Sequence, residues 1–157
     1  MIVQMPTLHY LADCPHYIPT LAAWHYAQWG ELNPAKDQEV RTDGFDSHLQ
    51  KRGIPTTFVA CEGDELLGSA SLVDSDLDIR PELTPWLASV FVAPAARNQG
   101  VGTMLVQRVM QEARELGVPQ LYLFTLDRER LYAGLGWQLV ERPIWNGREI
   151  AVMRMQF

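Results

Sequence analysis

The chain has 157 residues, 47% of them hydrophobic and 20% charged, with a formal net charge of −6. That is the length and balance of one globular domain with a sizeable core, spanning residues 1–157. The acidity argues against nucleic acid as a partner, because a phosphate backbone would be repelled, and suits a cationic small molecule or a basic peptide.

No apolar run approaches the roughly 20 residues that span a bilayer. The opening MIVQMPTLHY has no basic segment leading into a long apolar one, so a cytoplasmic protein without membrane attachment is expected. Cys14 and Cys61 are far apart and match no metal spacing, so two reduced thiols and no bound metal are expected.

Thr7 to Asp13 alternates weakly and reads as a first strand. From Pro15 to Trp29 the apolar residues Ile18, Leu21, Ala22 and Trp29 recur at near-helical spacing, with Gly30 as a stop. A second, more polar helical stretch follows Asn33-Pro34 and runs towards Gly53. Then the rhythm changes. TTFVACE (Thr56 to Glu62) and LLGSASLVD (Leu66 to Asp74) are β-rich runs joined by Gly63-Asp64-Glu65, a hairpin. WLASVFVA (Trp86 to Ala93) is a further strand, followed by a helix from about Gln99 to Leu116. QLYLFTL (Gln120 to Leu126) is another strand, and a short helix from Arg128 to Leu135 stops at Gly136. WQLVER and EIAVMRM flank Asn146-Gly147, the strongest short hairpin signal in the chain. One strand-helix-strand unit with hairpins on either side implies an α/β (α+β) domain. Its sheet is mixed, mostly antiparallel, of six to seven strands flanked by helices.

Candidate recognition features lie in the N-terminal helices and in the loop before the fourth strand. Trp24 and Tyr26 cannot both face the core at that spacing, so one of them lines a pocket or lies on the surface, and a tryptophan face attracts ammonium groups. Asp74, Asp76, Asp78 and Glu82 alternate like the start of a calcium loop. However, Ile79 stands where that loop needs glycine and Pro85 where it needs a bidentate glutamate, which excludes calcium. A solvated loop or an acidic rim for cationic acceptors remains.

Gly100 and Gly102 sit in the first turn of the helix near Gln99, where glycine is a poor choice for helix stability. A helix start carries unpaired backbone N–H groups and partial positive charge. Without a Cβ at those two positions an anion can reach the amides, and Arg97 adds charge at the mouth. The alternative is a tight turn in which the glycines only relieve crowding. Neither familiar nucleotide motif fits. A Walker A loop ends in Gly-Lys-Ser/Thr, whereas Gly102 precedes Thr103-Met104. A dinucleotide fingerprint needs a third glycine where Leu105 stands.

Arg97-Asn98-Gln99-Gly100-Val101-Gly102 resembles the Gln/Arg-x-x-Gly-x-Gly/Ala signature of the GNAT superfamily of acyl-CoA-dependent N-acetyltransferases. LASVFVAP before it is similar to the family's fourth strand. LYAGLGWQLV (Leu131 to Val140) is similar to its C-terminal Phe-Tyr-x-x-x-Gly-Phe segment, with Trp137 in the last aromatic place. The resemblance implies acetyl-CoA as co-substrate, bound at the pyrophosphate by amides of Gln99, Gly100, Val101, Gly102 and Thr103, with Arg97 and Asn98 in the same turn. Main-chain groups of Val90, Phe91 and Val92 would align the pantetheine, and the Val92 N–H would face the oxyanion.

Tyr132 falls where the family's general-acid tyrosine stands. The strand offers only Ser89 as a polar side chain and no carboxylate. The amine's proton therefore goes to Glu82, the nearest upstream carboxylate, or to an ordered water. Asp127 reads as a helix cap. The implied reaction is direct attack by a primary amine, a small cation by the charge argument, with no covalent enzyme intermediate. Acetylation of a protein N-terminus or lysine, or a non-catalytic acyl-CoA sensor, is the alternative. A homodimer is expected only by analogy.

Overall fold

The computed structural model describes residues 5–32 and 37–157. In chain order it holds β1 (Thr7–Tyr10), α1 (Ile18–Trp29), α2 (Gln38–Asp46), β2 (Thr56–Glu62), β3 (Glu65–Val73), β4 (Trp86–Val92) and α3 (Val101–Glu115). There follow β5 (Gln120–Thr125), α4 (Glu129–Gly134), β6 (Gln138–Glu141), β7 (Ile144–Trp145), β8 (Arg148–Glu149) and β9 (Ala151–Gln156). Seven strands form one sheet in the order β1-β2-β3-β4-β5-β9-β6. Every pairing is antiparallel except β4 with β5. The expected mixed, mostly antiparallel sheet is the one found.

Helices cover both faces of the N-terminal half. The apolar side of α3 carries Val101, Leu105, Val109 and Ala113, and packs on Phe58, Ala60, Ala70, Leu72 and Leu87. Helix α1 buries Ile18, Leu21 and Ala22 on the other face against Val59 and Cys61. Because both faces are covered, β2 and β3 are buried almost end to end, which is why their sequences read as continuous runs and not as alternations. Beyond β4, no helix among the described residues covers the face opposite α3. There Leu77, from the acidic loop, is fully buried with Trp86, Tyr122, Ile150 and Val152. That loop is also tied down by an Arg80–Glu141 ion pair and by the Trp145 indole N–H donating to Asp78 at 3.0 Å.

Several boundaries differ from expectation for identifiable reasons. The first strand ends at Tyr10 and passes into two short 3₁₀ turns, so α1 begins at Ile18. The second helix starts at Gln38, capped by Asp37, whose Oδ1 accepts the Val40 N–H at 2.8 Å, and it ends at Asp46. Asn33-Pro34 lies outside the described residues. Helix α3 begins at Val101 and not Gln99, because Asn98 (φ 63°) and Gly100 (φ 85°) take left-handed conformations that no helix can include. The C-terminal hairpin is split. Asn146-Gly147 does turn the chain, but it joins the short pair β7–β8, while β6 and β9 pair in the main sheet.

Candidate active site

Strands β4 and β5 meet only at Trp86↔Tyr122. Beyond that bridge they part, and among the described residues one edge of β4 is left without a strand partner. Near this point β4 is bulged. Ser69 pairs with Phe91 but Ser71 with Ala88, so the two residues between, Ser89 and Val90, oppose the single Ala70, and Ser89 takes φ 55°. The bulge resets the alternation. Phe91 faces α1, with ring centroids 5.3 Å from Trp24 and 6.0 Å from Trp29, while Val90 and Val92 pack on the α3 side. The Ala93 amide bonds the Leu67 carbonyl at 2.7 Å. By strand alternation the Val92 amide and carbonyl then point the opposite way, into the gap.

At the open end of the gap the chain turns through Pro94–Ala96 into α3. Among the described residues no backbone carbonyl takes the amides from Asn98 to Thr103, and the first bond of the helix runs from the Met104 N–H to the Gly100 carbonyl at 3.0 Å. A Cβ built on Gly100 would meet nothing within 4 Å, so it would project into open space. Gly102 does a different job, since its Cβ would touch Val92 Cγ2 at 3.4 Å. The first glycine therefore supplies the turn and the second lets the helix start lie against β4. Arg97 folds back over this junction. Its Nε donates to the Val92 carbonyl at 2.9 Å and its guanidinium lies 5.7 Å from the Phe91 ring. The terminal guanidinium nitrogens have no hydrogen-bond partner among the described residues. Arg97 thus caps the turn while leaving donors free at the mouth. Gln99 is held by its own side chain, with Nε2 donating to Ala95 at 3.2 Å.

Tyr132 lies on α4, buried in the cluster that packs under α3. Burial pushes its phenol up to about 12, the main cause, and the neighbouring charge of Arg128 only partly offsets this. Such a phenol keeps its proton throughout the neutral range. Glu82 is not brought to the other candidates. It is exposed in the loop before β4, at the end of the strand away from the glycine turn, with no hydrogen bond or ion pair among the described residues. Asp127 does not cap α4. Its carboxylate approaches the Arg128 guanidinium at 3.9 Å, and the Thr125 hydroxyl takes the Arg128 amide at 3.0 Å.

Three features were not read from sequence. Gly68 on β3 faces Val92, and a Cβ there would overlap the Phe91 carbonyl oxygen. A lone glycine inside a strand was the available signal. His25 is buried among Trp29, Phe45 and Phe91, with Nε2 3.3 Å from Ser69 Oγ. The bulge at Ser89 left no mark in residue type. Burial also pushes the Cys14 thiol up to about 11 and raises that of Cys61, so neither is a ready nucleophile. Among the described residues no group of three His, Cys, Asp or Glu is placed to hold a metal ion, and no helix is long and apolar enough to cross a membrane.

A mixed sheet that parts between two parallel strands, above a glycine turn rich in free amides, defines a narrow class of α/β acyl-transfer folds. The chain belongs to the Acetyltransferase (GNAT) family, which it matches over residues 18–137. Solved structures share the fold. An acetyltransferase from Streptococcus agalactiae 2603 superposes with a TM-score of 0.71 at 20% identity, over 99% of this chain and 100% of the other. Aminoglycoside 6'-acetyltransferase type Ii gives a TM-score of 0.73 at 18% identity, over 96% of each chain. An aminoglycoside 6'-N-acetyltransferase complexed with coenzyme A gives 0.74 at 16% identity, again over 96% of each. No curated protein matches the sequence.

Proposed function

We propose that this protein is an acetyl-CoA-dependent N-acetyltransferase whose acceptor is a small cationic amine. The observation that carries the reading is the run of unpaired amides from Asn98 to Thr103, standing where β4 and β5 part. Those amides, with Arg97 at the mouth, suit a pyrophosphate. The edge of β4 that faces the gap at Val90 and Val92, where only the Val92 carbonyl is engaged, by Arg97 Nε, suits the amides of a pantetheine arm, in the manner of an added strand. Acetyl-CoA fits this shape at both ends, and its thioester supplies the acetyl group.

The chain's own contributions are then specific. The Val92 N–H, facing the gap, donates to the oxygen that gains charge as the amine attacks. Tyr132 donates a proton to the departing thiolate. Glu82 or a water takes the proton of the amine, and the exposed position of Glu82 favours water. A small acceptor is supported by the aminoglycoside acetyltransferases among proteins of the same fold, and a cationic one by the net charge of −6. The acidic loop supports this only in part, since Asp78 is engaged by Trp145.

Acetyl-CoA-dependent thiol release should be measured across polyamines, aminoglycosides, amino acids and short basic peptides. Turnover confined to small cations is the expected result, and turnover confined to peptides would overturn the acceptor class. Binding is tested separately with Gly100→Val, whose side chain would enter the open space of the turn. The folded variant should lose acetyl-CoA binding by calorimetry. Unchanged affinity would remove the amide cradle from the argument.

A further inference from the structure

Among the described residues, four other than glycine take positive φ: Arg52, Ser89, Asn98 and Asn146. Asn98 and Asn146 lie in turns, where asparagine accepts that conformation readily, and Arg52 lies in the loop before β2. Ser89 alone stands inside a strand. Its exposure is equally out of place. Trp86, Leu87, Ala88 and Phe91 are buried, as a central strand requires, yet Ser89 is exposed. Its hydroxyl has no hydrogen-bond partner among the described residues, and it is the only hydroxyl, amide or carboxylate side chain on β4.

Glycine would take φ 55° at this position without crowding, so a side chain kept there at a steric cost points to a use for it. Ser89 lies past the Trp86↔Tyr122 bridge, on the stretch where β4 has left β5. Since β3 occupies the other edge of β4, the gap is the opening that exposes it. The glycine turn lies beyond Val92, so a cofactor laid from that turn along β4 brings its acyl end back towards Ser89. Val92 and Ser89 are three residues apart, about 10 Å in an extended strand and less across a bulge. That length is filled by a hydrogen bond from the Val92 N–H to the thioester oxygen, an amine about 3 Å from the thioester carbon, and a further hydrogen bond of about 3 Å. The hydroxyl therefore falls at the attacking nitrogen and needs no bridging water.

We propose that Ser89 Oγ accepts a hydrogen bond from the acceptor's amine and so aims the nitrogen lone pair at the thioester carbon. The inference rests on the reading of the protein as an N-acetyltransferase. No proton passes through the serine. The C–N bond forms and the C–S bond breaks, the amine's surplus proton leaves to water, and the thiolate takes the proton of Tyr132. Glycine would fit the bulge better and hold nothing.

The test uses two substitutions. Ser89→Ala keeps the Cβ and its crowding but removes the hydroxyl, and Ser89→Gly removes both. Each is compared with the wild type using acetyl-CoA and the fastest acceptor among spermidine, kanamycin, free lysine and tetralysine. Both variants should lower kcat/KM for the amine about tenfold, the worth of one hydrogen bond. The Kd for acetyl-CoA, measured by calorimetry, should stay within about twofold. Ser89→Gly should melt at the wild-type temperature or above it, because the crowding is gone. Wild-type kcat/KM in either variant overturns the proposal, since the bulge would then merely tolerate serine. An equal loss of acetyl-CoA affinity overturns it too, because the side chain would be shaping β4 and not holding the amine. So does a Ser89→Gly protein that melts well below the wild type. Absence of thiol release with every amine, in wild-type protein that binds acetyl-CoA, would remove the N-acetyltransferase reading itself. That outcome is distinguishable from the others, because it appears before any substitution is made.

Discussion

At the scale of single residues, three glycines near the site do different work, and substitution separates them. Gly100 is fixed by its left-handed backbone and faces open space, whereas Gly102 is fixed by its approach to Val92. Gly68 is fixed by the neighbouring strand, since a Cβ there would overlap the Phe91 carbonyl oxygen and lie 3.2 Å from Leu105 Cδ1. Backbone cannot move aside as a side chain can. Gly68→Ala should therefore cost about 1–3 kcal/mol of stability, seen as a fall of several degrees in Tm. It should also weaken acetyl-CoA binding, because β3 holds β4 in register where β4 is unpaired on its other edge. An unchanged melt would mean that the two strands separate more readily than their packing implies. Gly102→Ala is the matched control. Its Cβ would make only an ordinary contact, so the variant should melt within a degree or two of the wild type.

At the scale of elements, the join between the start of the chain and α3 runs through one carboxylate. Glu112 is 1% exposed. It accepts from the Tyr10 hydroxyl at 2.9 and 2.8 Å, from the Arg52 amide at 3.1 Å and from Arg108 Nη1 at 3.2 Å. Arg108 in turn lies 4.3 Å from the Phe58 ring. A buried charge so completely partnered is costly to break from one side. Glu112→Ala should lose about 3–5 kcal/mol, and Glu112→Gln clearly less because it keeps an acceptor for Tyr10; chemical denaturation measures both.

Most elements could be read from residue pattern, because β2, β3 and β5 are unbroken apolar-rich runs and the face of α3 keeps one helical period. The glycine turn was also legible, since residue type alone restricts its backbone. Less visible was whatever depends on a partner distant in sequence. The polar residue Glu112 reads as surface until Tyr10 is brought beside it. His25 reads equally as a surface or a core histidine, and only Phe45 and Phe91 decide for the core. Asn146-Gly147 fixed a turn but not which strands it would join, because β9 lies between β5 and β6 and neither neighbour adjoins it in the chain. The bulge that aims Val90 and Val92 to one side and Phe91 to the other falls on Ser89, a residue with no preference for it.

At the scale of the whole molecule, His25 links the packing of α1 on the sheet to pH. Burial is the main force on its imidazole, with the charges of Arg41 and His48 adding to it, and together they lower it to about 3. Its surroundings are otherwise Ser69 Oγ and the rings of Trp29, Phe45 and Phe91. In the unfolded chain the same group titrates near 6.5. Between those values the unfolded state binds a proton that the folded state excludes. The stability owed to neutral His25 is therefore complete above about pH 6.5 and is lost as pH falls towards 3. The slope reaches about 1.4 kcal/mol per pH unit within that window. Urea unfolding at pH 7, 6, 5 and 4 should show the decline in the wild type and a shallower one in His25→Phe, which has nothing to protonate there. The carboxylates contribute equally to both proteins, so the difference between the two curves isolates the histidine. Parallel curves would mean that the imidazole is hydrated or ion-paired in solution. The packing of α1 on β3 and β4, which holds Trp24 and Trp29 over Phe91, would then be looser than the ring contacts indicate.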